Sequence, residues 1–237
     1  VMGPSQPPNL FPAASELTLH GTAVGLNFRD VLNVLGAYPG DPGLPGSDSS
    51  GDVMAVGTAL QSPRVGDACF GFVVGALASY TTAKPHLLCL RPPAISAEAA
   101  CTLPSTWTSI HLALSTARCL HKGGVALIHA AAGGVGLAAT SYAHDVGAGV
   151  LATASSPYKL HALRTMGVGR CASSRSGGSF AIGATRLAHG SRLQVVLNSL
   201  SGDLCAVAFG LLSSTGCLVE LGKRRIWSTA LVAAAVV

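Results

Sequence analysis

The sequence predicts an α/β protein in two parts: a small, irregular β-rich domain over residues 1–95, then a parallel, doubly wound sheet over residues 96–237. Three observations carry this expectation. The first hundred residues are rich in Gly and Pro with short β-type runs between them. From Val125 onward, short apolar strands alternate with helical stretches. Between the first such strand and its helix stands the Gly-rich segment His129-Ala-Ala-Ala-Gly-Gly-Val-Gly136. Alternation of this kind builds a parallel sheet with right-handed crossovers. A chain of 237 residues, 49% apolar and only 11% charged, can bury a large core and is not a disordered or solvating chain.

In chain order, Leu17–Val24 alternates like a half-buried strand. Asn27–Leu35 carries apolar residues at helical spacing (Phe28, Val31, Leu32, Leu35), and Gly36 stops it. Tyr38-Pro-Gly-Asp-Pro-Gly-Leu-Pro-Gly46 is too dense in breakers for helix or central strand. Gly51–Gly57, Asp67–Phe72 and Ala78–Ala83 read as further strands. The character changes at Pro92-Pro93. Ser96 caps a helix through Cys101 with Glu98 in its first turn, and a second helix, Trp107–Cys119, follows the break at Pro104. Then come strand Val125–His129, helix Val135–Val146, strand Gly149–Thr153, helix Pro157–Met166, a Ser/Gly loop, strand Leu193–Leu197, helix Leu204–Leu212 and strand Cys217–Leu221.

Several function classes are excluded or disfavoured. The formal charge of +5 is not clustered. Lys223-Arg224-Arg225 is too short for a nucleic-acid stripe and reads as a solvated turn, so no nucleic-acid partner is expected. A mildly positive surface suits an anionic cofactor or an acidic carrier partner. Seven cysteines (Cys69, Cys89, Cys101, Cys119, Cys171, Cys205, Cys217) form no CxxC pair or metal-ligand cadence, which fits a reducing, cytoplasmic setting. No metal site is expected. The amino terminus lacks the pattern of a secretory signal. The apolar tail from Ala230 to Val237 is too short to span a bilayer, and reads as a truncated strand or helix or as sequence outside the fold. The Gly turn lacks a P-loop ending, no nucleophile elbow is present, and His111 and His129 lie in apolar segments as core histidines.

The Gly turn carries the chemistry. Small residues there let the backbone turn sharply, let a diphosphate touch the main chain, and let helix and strand pack closely. Ala132, Gly133, Gly134, Val135 and Gly136 are the candidate contacts, with the helix N-terminus directed at the diphosphate. A carboxylate about twenty residues further on would select NAD by bonding the ribose 2′-hydroxyl. Here that stretch reads Thr153-Ala-Ser-Ser-Pro-Tyr-Lys159, with Arg175 beyond it. Hydroxyls and cations without an acid suit a 2′-phosphate, so Thr153, Ser155, Lys159 and Arg175 point to NADPH.

Five motifs in order, Asn27-Phe-Arg-Asp-Val-Leu32, Gly36-Ala-Tyr-Pro-Gly-Asp41, His129–Gly136, Val196-Leu-Asn-Ser-Leu200 and Glu220-Leu-Gly-Lys223, resemble the enoylreductase domain of modular polyketide synthases and animal-type fatty acid synthases. That domain belongs to the zinc-free, quinone-oxidoreductase-like part of the medium-chain dehydrogenase/reductase superfamily. The resemblance implies a GroES-like β domain followed by a Rossmann domain, with the active site in the cleft between them. It implies NADPH, an α,β-unsaturated thioester on an acyl carrier protein, and other synthase domains in cis. Tyr38 falls on a tyrosine associated with proton delivery to the α-carbon, and Lys159 on a lysine proposed as proton donor or cofactor contact. Asn27, Arg29 and Asp30 would lie near the nicotinamide. Asn198, Ser199, Gly222 and Lys223 would be cofactor contacts, with Thr108 a helix-start residue near the cofactor.

The departures are specific. Ser179 stands where the family has an aspartate before the Phe, as the proposed partner of the lysine, and Asp48 stands where glutamate is common. The family domain continues beyond Lys223 with strands that complete its sheet, so the chain is expected to be a fragment of a longer protein or a degenerate copy. Besides enoyl reduction, two readings stay open: a free-standing quinone or alkenal reductase, and a catalytically silent structural module of a megasynthase.

Overall fold

In the computed structural model, residues 11–116, 119–175, 177–188, 190, 192–200, 203–222 and 228 are described. The Lys223–Arg225 run and the tail from residue 230 lie outside them. The chain forms two compact units, Val1–Thr108 and Ser109–Val237.

The first unit is an antiparallel sheet of β1 (Leu17–Gly25), β2 (Asp48–Val56), β3 (Ala68–Phe72), β4 (Tyr80–Ala83) and β5 (Leu88–Leu90), in the order β4-β1-β2-β3-β5. The alternation of β1 sends Leu17 and Leu19 into a core shared with Val53, Cys69 and Ala83. Two strand expectations are corrected. β2 starts earlier, at Asp48, because its polar first residues bury their side chains on partners: Ser50 Oγ donates to the Cys69 carbonyl at 3.1 Å and Ser49 Oγ to that of Ala23 at 3.4 Å. β5 is an additional edge strand.

Helix α1 (Phe28–Val34) forms as expected, but its apolar residues are not its buried face. Phe28, Val31 and Leu35 are exposed, and Asp30 is the buried residue. The reason is a polar grip on the helix start. Asp30 Oδ2 accepts from the Asn27 amide and Oδ1 from the Gly46 amide, both at 2.8 Å. Helix α2 (Ala97–Ala100), capped by Ser96 Oγ accepting from the Ala99 amide at 3.2 Å, packs on β1 and β2. Helix α3 (Pro104–Ile110) begins at the proline itself, which favours a first helical position, and continues into π-helical turns over His111–Thr116. His111 is exposed there, contrary to the core position expected of it.

The second unit is a parallel sheet in the order β10-β9-β6-β7-β8. Its strands are β6 (Val125–Ile128), β7 (Gly149–Ala154), β8 (Arg170–Ser173), β9 (Leu193–Asn198) and β10 (Leu212–Glu220). Helices α4 (Gly134–Asp145), α5 (Pro157–Thr165), α6 (Gly177–Ala188) and α7 (Asp203–Gly210) connect them. β8 and α6 replace the expected Ser/Gly loop. Phe180 and Ala184, four residues apart on α6, are fully buried against Leu127, Leu151 and Leu193, which outweighs the weak helix propensity of Gly177-Gly178. Both faces of the sheet are covered. Ala126, Ile128, Val150 and Ala152 meet α4, α5 and Leu114 on one side, while Leu127, Leu151 and Val196 meet α6 and α7 on the other. From β6 the chain builds β7 and β8 to one side, then returns to lay β9 and β10 on the other. That reversal opens a crevice at the carboxyl ends of β6 and β9. Among the described residues, no helix is long and apolar enough to cross a membrane.

Candidate dinucleotide site and the loop around Tyr38

The Gly-rich segment occupies that crevice edge. The main chain turns at Ala130, whose φ of 50° is unusual for a residue with a side chain. The turn is held by the Ala131 amide donating to the Thr153 carbonyl and the Gly133 amide donating to the Ala130 carbonyl, both at 2.9 Å. Gly133 then caps α4 with extended backbone. Gly133 and Gly134 are exposed, whereas Gly136 is buried. A Cβ on Gly136 would lie 2.5 Å from Ala131 Cα and 2.6 Å from the Ala130 carbonyl oxygen. Glycine therefore lets the first turn of α4 rest against the strand end. The first amides of a helix have no intrahelical acceptor, and such a helix start suits a diphosphate.

Next to the turn is a recess of about 150 Å³. It joins Ala132 and Gly133 of the turn to Ser155 and Lys159 from the β7–α5 connection, and adds Ser174 and Leu200, which the sequence had not singled out. Arg175 donates from Nε to the Ser155 carbonyl at the same spot. Ser156 caps α5, its Oγ accepting from the Lys159 amide at 3.3 Å, which fixes where Lys159 leaves the helix. No carboxylate lines this recess. Serine hydroxyls with a lysine and an arginine nearby are the donor set that a phosphate monoester needs.

Two expected cofactor contacts have buried side chains. Thr153 is fully buried, and its Oγ1 is hydrogen-bonded to His129 Nδ1 at 3.0 Å. Asn198 is fully buried too. Its Nδ2 donates to the Leu200 carbonyl at 2.8 Å and to Glu220 Oε2 at 2.6 Å, while its Oδ1 accepts from the Leu200 amide at 3.2 Å. Asn198 thus shapes the turn that leaves Ser199 exposed and brings Leu200 to the recess. The Gly222 amide donates to Glu220 Oε1 at 2.6 Å, and Lys223 lies outside the described residues. His129 does prove a core histidine. Its ring is 5.3 Å from that of Phe180, and burial pushes its pKa down to about 4, so it is neutral at neutral pH.

In the first unit, α1 anchors the loop that carries Tyr38. Arg29 donates to the Pro42 carbonyl, and its guanidinium carbon lies 5.8 Å from the Tyr38 ring centroid. Asn33 Nδ2 donates to the Gly43 carbonyl at 2.9 Å, and the buried Asp30 holds Gly46. With both carboxylate oxygens engaged below the surface, Asp30 anchors this loop. Asn27 Nδ2 donates to Ser47 Oγ at 3.5 Å. Asp48 Oδ1 accepts from Ser105 Oγ at 2.7 Å and its Oδ2 from the Ser105 amide at 3.0 Å, which pins the start of α3 to β2. Ser105 had no sequence signal, since its partner is 57 positions away. Thr108, on α3, is exposed beside an apolar recess of about 420 Å³ that Phe70, Phe72 and Trp107 also line. The thiols of Cys69 and Cys119 are raised by burial to about 11, which unfits them as nucleophiles at neutral pH.

Residues 134–232 match a family described as zinc-binding dehydrogenase. Among the described residues, no three His, Cys, Asp or Glu side chains are grouped to hold a metal ion. The chain is 41% identical over 212 residues to Erythronolide synthase EryA2 of Saccharopolyspora erythraea, covering 89% of this chain and 6% of that protein. It superposes on the crystal structure of CurK enoyl reductase with a TM-score of 0.90 at 34% identity, covering 98% of this chain and 73% of the other. A mycobacterial protein, Rv1454c, in complex with NADPH matches with a TM-score of 0.86 at 26% identity, over 99% of this chain and 74% of that one.

Proposed function

Because the chain belongs to the enoylreductase family of the medium-chain dehydrogenase/reductase superfamily, found in polyketide synthases, we propose that it reduces the α,β double bond of an acyl thioester with NADPH. In that family the first unit is a GroES-like domain and the second a Rossmann domain. The observation that carries the cofactor reading is the acid-free recess that joins the glycine turn to Ser155, Lys159 and Ser174. Gly133, Gly134 and the first-turn amides of α4 hold the diphosphate. Ser155, Lys159 and Arg175 bind the 2′-phosphate, with Ser174 beside them. Of the two roles open to Lys159, its place in this recess supports phosphate anchoring over proton donation.

Bound NADPH supplies a hydride to the β-carbon of the enoyl thioester. The α-carbon then needs a proton, and Tyr38 supplies it from a loop that Arg29, Asp30 and Asn33 hold in place. A phenol with an ordinary pKa of about 10 stays protonated at neutral pH and can donate to an enolate. Atoms balance as enoyl thioester, NADPH and one proton going to saturated thioester and NADP+. The substrate rides on an acyl carrier protein, among other synthase domains in cis in the cytoplasm. EryA2 is a far longer protein of which this chain spans 6%.

The test is oxidation of NADPH against a crotonyl thioester on an acyl carrier protein, the same acyl group on free pantetheine, and a free enone, with NADH as the competing cofactor. The proposal expects turnover with NADPH, poor use of NADH, and preference for the carrier-linked thioester. Equal turnover of free enones would instead make the chain a quinone or alkenal reductase. No NADPH binding at all would make it a silent module.

A further inference from the structure

We infer that His129 is a positioning residue for the dinucleotide turn and acts through Thr153. The inference rests on the reading of that turn as the NADPH site. His129 follows the last residue of β6 and is only 3% exposed. A polar ring at such a depth is costly compared with an apolar one unless its hydrogen bonds are made. Its main-chain amide donates to the Leu197 carbonyl at 3.1 Å, which extends the pairing of β6 with β9. Its side chain bonds the Thr153 hydroxyl at the end of β7. One residue thereby ties together the ends of three strands where the sheet reverses direction.

Thr153 passes this restraint to the turn. Its carbonyl accepts from the Ala131 amide, immediately after the unfavourable φ of 50° at Ala130. An alanine in the left-handed region returns to an extended or right-handed conformation unless its neighbours hold it. The Thr153 carbonyl and the Gly133 amide are the two main-chain groups that hold it. With the Thr153 side chain locked by His129, that carbonyl stays where Ala131 needs it, and the exposed glycines and the start of α4 stay in register for a diphosphate. Only Nδ1 serves in this arrangement, because His129 Nε2 is buried without a hydrogen-bond partner.

The two ring nitrogens allow a sharp test. In His129→Asn the amide reaches the place of Nδ1 and can still bond Thr153. In His129→Gln it reaches toward the place of Nε2 and misses. Thr153→Val keeps the shape and removes the hydroxyl, while Thr153→Ser keeps the hydroxyl. Two quantities are measured: the dissociation constant of NADPH by fluorescence titration, and hydrogen exchange at the Ala131 amide in the cofactor-free protein. His129→Gln and Thr153→Val should weaken NADPH binding about tenfold, as expected for one lost hydrogen bond. They should also speed exchange at Ala131. His129→Asn and Thr153→Ser should behave as wild type. Equal loss in all four variants, or wild-type affinity and exchange in all four, would overturn the inference. A wild-type protein that binds no NADPH would instead remove the cofactor reading, and exchange at Ala131 would still decide whether His129 and Thr153 hold the turn.

Discussion

Gly136→Ala probes the packing of α4 on the strand end. The added Cβ would sit 2.5 Å from Ala131 Cα and 2.6 Å from the Ala130 carbonyl oxygen, both main-chain atoms that cannot swing aside. Ordinary contact begins near 3.4 Å, so turn and helix must part by about 0.9 Å. Overpacking of this kind costs ~1–3 kcal/mol. The displacement also moves the first-turn amides off the diphosphate. Loss of two hydrogen bonds to a charged group, at ~1.5 kcal/mol each, weakens NADPH binding about a hundredfold. Urea unfolding of the cofactor-free protein reads the first effect and fluorescence titration the second. Gly133→Ala is the matched control. Its Cβ meets only the Ala130 carbonyl oxygen at 3.3 Å and stands on the exposed rim of the recess. It should spare stability to within ~1 kcal/mol while still lowering affinity. A Gly136→Ala protein as stable as wild type would refute the close packing from which the prediction is derived.

Lys159→Ala and Arg175→Ala should each raise the dissociation constant of NADPH about tenfold and leave that of NADH unchanged, since only NADPH carries the 2′-phosphate; titration with both cofactors checks this, and equal losses would remove that assignment. Tyr38→Phe should lower kcat with the carrier-linked thioester by at least about tenfold without changing NADPH affinity, and an unchanged kcat would take Tyr38 out of proton delivery. Asp48→Ala removes two part-buried hydrogen bonds, from the Ser105 amide and hydroxyl, and should cost ~2–3 kcal/mol in denaturant unfolding. His129 titrates at about 4 when folded, against about 6.5 when exposed. The unfolded chain therefore takes up the proton first as pH falls. Its contribution is complete above pH 6.5 and is lost between about 6.5 and 4, by ~3 kcal/mol in all. His129→Asn should flatten that part of the stability–pH curve.

What the sequence made legible follows the physics of each signal. The Gly turn and its flanking strand and helix could be read because the constraint is local: small residues between an apolar run and an Ala-rich helix. β8 and α6 could not. Arg170–Ser173 is a strand by virtue of its pairing with β7, and α6 opens on two glycines and is held by Phe180 and Ala184 in a core assembled from distant strands. The start of β2 was hidden because Asp48, Ser49 and Ser50 look solvated until their partners are known. The same gap separates the site residues. Ser155 and Lys159 follow a strand and lie in the recess as their spacing suggested. Thr153 and Asn198 occupy comparable strand ends, yet their side chains turn inward to His129 and Glu220. Spacing tells which residues stand at a strand end, but the direction of the side chain is set by the alternation of the finished sheet. α1 shows the converse, since its helical spacing of apolar residues is real although the residue it buries is an aspartate.

The strand order β10-β9-β6-β7-β8 also sets a timetable for synthesis. β6 can pair with β7 once Ala154 has emerged, but its second partner, β9, is complete only at Asn198. Until then one edge of a strand whose four residues all end up buried stands unpaired, the kind of edge that invites association between nascent chains. The crevice lies along this late-made pairing, which only the addition of β10 follows. A nucleotide that binds only the finished crevice would pull the late step forward by mass action, so the ligand of the mature protein would also help to complete it.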